Sequence, residues 1–113
     1  MVHTYWRWKQ EMDIEKMKAA FSNYTFVFEY ETEKDESVSA GLKDFDLFVN
    51  AKNKEQAVHD LAVELVEYSK EYLNNIQLYF NATNRRDHFP FVMNVLLQED
   101  LAEVIKLIHT EQP

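Results

Sequence analysis

The 113-residue sequence contains no cysteine, one glycine and two prolines. Without cysteine the chain has no disulfide framework, no thiolate metal site and no cysteine nucleophile, which fits a reducing cytosol. The single glycine, Gly41, excludes the glycine-rich loops that cradle nucleotide phosphates. No apolar run approaches membrane-spanning length, and residues 1–8 mix charged and aromatic side chains. We therefore expect a soluble, cytoplasmic protein without a signal peptide.

Basic residues are scarcer than acidic ones. The sequence has 12 Lys and Arg and 20 Asp and Glu, which gives a formal net charge of −8. Nucleic-acid binding depends largely on Lys and Arg displacing counterions from phosphates, so direct nucleic-acid binding is disfavoured. A basic protein is a better electrostatic match. Acidity that serves solubility alone is the alternative interpretation.

Residues 53–73 carry the clearest periodicity and predict a long amphipathic helix. Its apolar side recurs at steps of three and four residues: Ala57, Val58, Leu61, Ala62, Leu65, Tyr68, Ser69, Tyr72 and Leu73. Asn53, with Gln56 three residues later, predicts the N-cap. Asn74 and Asn75 predict a left-handed turn that ends the helix.

The other side of this helix carries four carboxylates at the same spacing. They are Asp60, Glu64, Glu67 and Glu71, which we call the acidic ridge. The ridge is either a solvated face or a surface for a partner, and Val63, an apolar residue among polar ones, favours a partner. It does not predict a metal site, because carboxylate sites in helical bundles need inward-facing residues and a Glu-x-x-His pair.

The remaining segments predict a single α+β domain over residues 1–113. We expect a helix over 13–22, three short antiparallel strands over 24–50 and two or three C-terminal helices over 75–111. The long helix would cover the three-stranded sheet. Asp87 predicts an N-cap with Pro90 in the first turn after it, and Asp100 with Glu103 repeats the capping pattern.

Two stretches, one aromatic and one apolar, suggest that the chain associates with itself, for example as a homodimer. Residues 91–97 are nearly all apolar, which is typical of a helix that is buried all round or forms an oligomer contact. Tryptophans near a terminus usually pack into the fold or another subunit. The predicted oligomer contacts are Trp6, Trp8, Phe91, Val92, Val95 and Leu96.

Residues 84–92 place two arginines and a histidine beside an aromatic helix start. Asn84, Arg85, Arg86 and His88 could form a recognition loop for a carboxylate or phosphate, because arginine suits bidentate contacts. Alternatively, Asn84 and Asp87 are turn and cap residues, and the arginines pair with the chain's own acids.

No catalytic constellation is visible. The serines lack a nucleophile-elbow pattern, and no histidine has a second histidine or cysteine at metal-ligand spacing. We expect no enzyme activity, no cofactor and no metal.

Several segments, in this order, resemble one family. They are residues 46–51, 54–57, 60–62, 65–68, 84–86, 88–92 and 96–97. Together they resemble the Phd-like antitoxins of RelE/RelB-type toxin–antitoxin systems over residues 24–108, and the strand–helix part is also similar to HicB-type antitoxins. The resemblance implies a small bacterial antitoxin that binds and neutralises a basic ribonuclease toxin. The sequence has no obvious helix-turn-helix, ribbon-helix-helix or basic arm, so DNA-binding autorepression is not expected.

Two functions from different classes follow. The first is a non-enzymatic inhibitor that binds a basic toxin through the acidic ridge and through Glu29, Glu31 and Glu33. The second is a self-associating structural or regulatory domain without a toxin partner.

Overall fold

The computed structural model describes residues 13–110, and the predictions for Trp6 and Trp8 lie outside this range. The strands are β1 (Phe26–Thr32), β2 (Val38–Leu42), β3 (Phe48–Ala51) and β4 (Ile108–Thr110). The helices are α1 (Ile14–Phe21), α2 (Lys54–Asn74), α3 (Ile76–Asn81), α4 (Phe89–Leu96) and α5 (Leu101–Ile105), and a 3₁₀ turn (Arg86–His88) precedes α4. The fold is α+β, as the sequence predicts.

The sheet has four strands in the order β3-β2-β1-β4, and it is mixed. Strands β1, β2 and β3 pair antiparallel, whereas β4 pairs parallel to β1, with Phe26 opposite Ile108. The three predicted strands pair antiparallel as expected, but the prediction misses β4 and its parallel pairing with β1. The prediction of helix up to residue 111 also fails, because α5 ends at Ile105 and the Phe26 N–H donates to the Leu107 carbonyl at 2.8 Å.

Helix α2 begins as its sequence predicts and ends differently. The Asn53 Oδ1 accepts the Gln56 N–H at 2.8 Å, which satisfies one of the free donors of the first turn. At the other end Asn75 has φ −124°, so the predicted left-handed turn is wrong. The Asn75 N–H instead donates to the Glu71 and Tyr72 carbonyls, and its side-chain amide donates to the Glu71 carbonyl at 3.1 Å. The asparagine thereby satisfies the last carbonyls without leaving negative φ.

The core lies between the sheet and α2. Leu61 and Leu65 of α2 are fully buried in one cluster with Phe26 and Phe28 of β1. Tyr72 is also fully buried, and its ring packs beside Tyr79. Leu73, which the periodicity assigned to the apolar side, is 48% exposed, because it lies at the margin of that side near the helix end.

Helices α4 and α5 close the core, and α1 packs on α4. Val92 and Val95 of α4 and Val104 of α5 are buried. The Asn94 side-chain amide is also buried and donates to the Tyr24 carbonyl at 2.9 Å, which ties α4 to the segment before β1. Within residues 13–110, no helix combines the length and the apolar character needed to cross a membrane.

The connection between β2 and β3 differs from its sequence prediction. Asp44 has φ 71°, in the left-handed region that aspartate tolerates better than most residues. Phe45, inside the range 24–50 predicted to hold the three strands, lies in this turn and is buried against Phe26 with ring centroids 5.0 Å apart. The strand begins only at Phe48, whose side chain is 76% exposed.

Candidate functional site

The acidic ridge lies on the exposed flank of α2, as its spacing predicts. Asp60 accepts a hydrogen bond from the Gln56 side-chain amide at 2.8 Å. Glu71 accepts one from the Tyr79 hydroxyl at 2.9 Å. These contacts orient the two end carboxylates and leave their negative charge in place.

Cations of the chain itself neutralise little of the ridge. Lys70 Nζ lies 4.0 Å from Glu67 Oε1 in an exposed pair, and His59 lies 3.5 Å from Asp60. Exposed pairs of this kind stabilise a protein by only about 0–1 kcal/mol. In the part of the chain that the structure describes, no arginine contacts the ridge, and Glu64 has no ion-pair partner.

An apolar groove of about 280 Å³ runs beside the ridge, and we call it the helical groove. It is lined by Val63, Val66, Glu67, Lys70, Val95, Leu96, Gln98, Glu99, Asp100, Leu101 and Val104. Glu67 belongs to both surfaces, so the acidic ridge continues into one rim of the groove. The sequence pointed to Val63 but did not predict the groove. The residues that line the groove come from α2, α4, α5 and the α4–α5 connection, which are far apart in sequence.

His88 does not face outward as a recognition residue. Its Nε2 lies 3.0 Å from the Asp44 carbonyl oxygen, and its Nδ1 lies 2.7 Å from the Tyr68 hydroxyl. A carbonyl only accepts, so Nε2 carries the hydrogen and Nδ1 accepts from Tyr68. The imidazole also stacks on Phe45, with centroids 4.2 Å apart. Burial lowers the pKa of His88 and raises the pKa of Tyr68, so both groups stay neutral at neutral pH.

The two arginines contact aromatic rings and a main-chain carbonyl. The Arg85 guanidinium lies 5.4 Å from the Tyr68 ring and 5.7 Å from the Tyr79 ring, in cation–π geometry. The Arg86 Nε donates to the Phe80 carbonyl at 2.8 Å. Neither arginine forms an ion pair within residues 13–110, so the described part of the chain does not show the alternative of pairing with the chain's own acids.

The segment around these arginines anchors the end of α2 to the start of α4. The Tyr72 hydroxyl donates to the Arg85 carbonyl at 3.0 Å. Asn84 is exposed, and it lines a small cleft with Asp87 and His88. Asp87 is not the predicted N-cap, because the 3₁₀ turn places His88 at that position, whereas Pro90 does lie in the first turn of α4. Of the four predicted recognition residues, Asn84 is the one whose side chain makes no hydrogen bond or ring contact with another residue of the range 13–110.

The predicted oligomer contacts on α4 are mostly internal. Val92 and Val95 are 1% and 3% exposed, so they offer almost no surface to a second copy. Phe91 packs against Phe26 and Phe45, with centroids 5.6 and 5.4 Å away. Leu96 lines the helical groove. The apolar character of this helix therefore reflects burial within the chain.

The outer face of the sheet forms a second exposed surface. Glu29 and Glu31 of β1 point to the side that α2 does not cover, beside Phe48 of β3. Glu33 is exposed in the following turn. Within residues 13–110, no group of three or more His, Asp or Glu side chains is placed to hold a metal ion.

A mixed sheet backed by a long helix, with an acidic ridge and an apolar groove on its surface, defines a small α+β protein. The family profile for antitoxins of RelE/RelB toxin–antitoxin systems matches residues 10–110. The chain therefore belongs to the PHD-like antitoxin family, which confirms the resemblance found in its sequence. Membership in this family implies a toxin partner.

The fold is similar to a crystal structure of an antitoxin part of a proposed toxin/antitoxin system from Syntrophomonas wolfei subsp. wolfei. The two share 28% sequence identity with a TM-score of 0.82, over 88% of this chain and 71% of the other. No curated protein sequence gives a significant match.

Proposed function

We propose that this protein binds and neutralises a basic RelE-type ribonuclease toxin in the cytoplasm and has no catalytic activity of its own. The observation that carries the proposal is the acidic ridge, whose four carboxylates share one flank of α2. Within residues 13–110, Lys70 is the one lysine or arginine that pairs with them, at 4.0 Å from Glu67. A net charge of −8 adds to the attraction for a cationic surface.

Inhibition follows from the chemistry of the toxin's substrate. A ribonuclease needs positive charge where the RNA phosphates bind, and the acidic ridge would occupy the same positive surface. Complementary charge speeds encounter, whereas buried apolar contacts provide most of the lasting affinity. The ridge would therefore act together with an adjacent apolar surface.

Coexpression tests this proposal directly. The chain is produced together with the small basic protein encoded beside it, with an affinity tag on only one of the two. We expect the untagged protein to copurify, and we expect growth to recover from the arrest that the basic protein causes alone. Expression of an unrelated acidic protein of similar size is the control. A basic protein that neither copurifies nor loses its toxicity would contradict the proposal.

A further inference from the structure

The helical groove is an apolar surface with no covering in the described part of the chain. We propose that it receives the apolar side of an amphipathic helix from the basic toxin, with Lys or Arg on both flanks of that helix. This inference rests on the proposed function and names the partner segment and the surface that holds it.

The size of the groove favours side chains over a whole ligand. Its volume of about 280 Å³ lies below the range of roughly 300–1,000 Å³ that is typical of small-molecule pockets. Val66 of α2, Leu96 of α4 and Leu101 of α5 all line it, so its apolar surface is built between three helices. Grooves of this kind bind a helix through anchors spaced three and four residues apart.

Charge on the rims identifies the occupant as basic. Glu67 lines the groove from α2, and Glu99 and Asp100 line it from the connection between α4 and α5. Lys70, the one lysine or arginine among the described lining residues, lies 4.0 Å from Glu67 and offsets one of these charges. A helix in the groove would meet acids on both sides. A second copy of this chain, with a net charge of −8, is a poorer electrostatic match.

The acidic rim opposite α2 is held by hydrogen bonds within the chain. The Asp100 Oδ1 caps α5 by accepting the Glu103 N–H at 2.9 Å. The Gln98 side-chain amide donates to the Asn94 carbonyl at 3.0 Å. The groove is thus formed before any partner binds, which lowers the ordering cost of association.

A matched pair of variants on α2 tests the groove. Val63 and Leu73 are 39% and 48% exposed, so lysine at either position can reach solvent and α2 can still form. Val63→Lys places a cation on the groove lining, whereas Leu73→Lys makes the same change in net charge at a residue that does not line the groove. In titrations with the purified toxin we expect Val63→Lys to weaken binding at least tenfold and Leu73→Lys to change it less than threefold.

The outcomes separate this inference from the proposed function. If the wild-type chain does not bind the toxin, the proposed function fails, and the groove assignment fails with it. If the wild-type chain binds and both lysine variants bind equally well, the groove assignment is overturned while the proposed function stands. The double variant Val63→Lys/Glu99→Lys should bind more weakly than Val63→Lys alone, because it removes an acidic rim charge.

Two other occupants would overturn the assignment. If sedimentation shows that Val63→Lys converts a dimer of the free chain into a monomer, a second copy occupies the groove. Trp6 and Trp8 are the chain's only tryptophans, so their fluorescence reports on the N-terminal segment. A change in tryptophan emission of the free chain on Val63→Lys, without one on Leu73→Lys, would assign the groove to that segment.

Discussion

The Tyr68 hydroxyl donates to Nδ1 of His88 across 2.7 Å, which joins the middle of α2 to the turn that precedes α4. The other ring nitrogen of His88 donates to the Asp44 carbonyl and so reaches the turn between β2 and β3. One neutral imidazole therefore connects three elements. The arginines and the histidine of residues 84–88 predict a recognition loop. Within that segment, His88 has a structural role, because it connects parts of the fold.

Removal of the Tyr68 hydroxyl should destabilise the fold. Tyr68→Phe leaves Nδ1 of a partly buried histidine without its donor, and we expect the free energy of unfolding to fall by about 1–3 kcal/mol. Urea denaturation measures this change. Tyr24→Phe is the matched control, because the Tyr24 hydroxyl makes no hydrogen bond within residues 13–110. Equal midpoints for the two variants would contradict the structural role of the Tyr68–His88 bond.

His88 should also make stability depend on pH. Burial lowers its pKa in the folded state, so the unfolded chain binds more protons below the ordinary histidine pKa of 6.5. Stability therefore rises with pH through this region, and it falls as pH drops below that value. We expect the urea midpoint of the wild type to be lower at about pH 5.5 than at about pH 7.5. We expect His88→Gln to make this difference in midpoint smaller. If His88→Gln kept the full difference between the two pH values, burial of His88 would not be its cause.

Ser69 should be replaceable with a gain in stability. Its hydroxyl is fully buried on α2 and has no hydrogen-bond partner among residues 13–110. An unsatisfied buried polar group costs about 1–3 kcal/mol, and alanine is also the better helix former. We expect Ser69→Ala to raise the thermal midpoint. Ser22→Ala, which removes a hydroxyl that donates to the Ala19 carbonyl at 2.9 Å, should not raise it.

Gly41 and Phe48 should be energetically coupled across the outer face of the sheet. A Cβ on Gly41 would lie 2.9 Å from Cδ1 of Phe48 and 3.1 Å from the Leu47 carbonyl oxygen. We expect Gly41→Ala to lower the free energy of unfolding by about 1–3 kcal/mol, as overpacking does.

In a Phe48→Ala background, Gly41→Ala should lower the free energy of unfolding by less, because only the close contact with the Leu47 carbonyl oxygen remains. A double-mutant cycle in urea gives the coupling energy. If Gly41→Ala lowered the free energy of unfolding equally in both backgrounds, contact with the Phe48 ring would not be the reason for a glycine at position 41.

Charge reversal on the acidic ridge should slow association with the toxin. For Glu64→Lys/Glu67→Lys we expect an association rate about tenfold lower at low salt and a flatter dependence on ionic strength, because steering is electrostatic. Stopped-flow mixing measures both quantities. Glu15→Lys/Glu55→Lys makes the same change in net charge away from the ridge and serves as control. If the two pairs slow association equally, net charge and not the ridge accounts for the effect.

Local patterns predicted the features that short-range chemistry determines. Asn53 and Asp100 cap helices as their sequence neighbours indicate, because the acceptor and the amide lie within three residues. Alternation over 24–50 likewise predicted three antiparallel strands in their order along the chain. The family resemblance required more than periodicity, since it depended on the order of several segments.

Long-range pairing could not be predicted in this way. Strand β4 has three residues and forms only because β1, about 80 positions earlier, offers a free edge. Similarly, nothing local to His88 shows that its partners are Tyr68 and the Asp44 carbonyl. Such contacts depend on where distant segments meet.

The amino-acid sequence by itself determined the long helix α2, its acidic flank and the acidic balance of the whole chain, because each depends on spacing and composition. Only the tertiary structure decided which residues remain available to a partner. It buried Val92 and Val95, enclosed His88 and assembled the groove beside Glu67. The reason is physical: exposure and hydrogen-bond partners depend on the packing of segments far apart in sequence, and each segment alone is compatible with several packings.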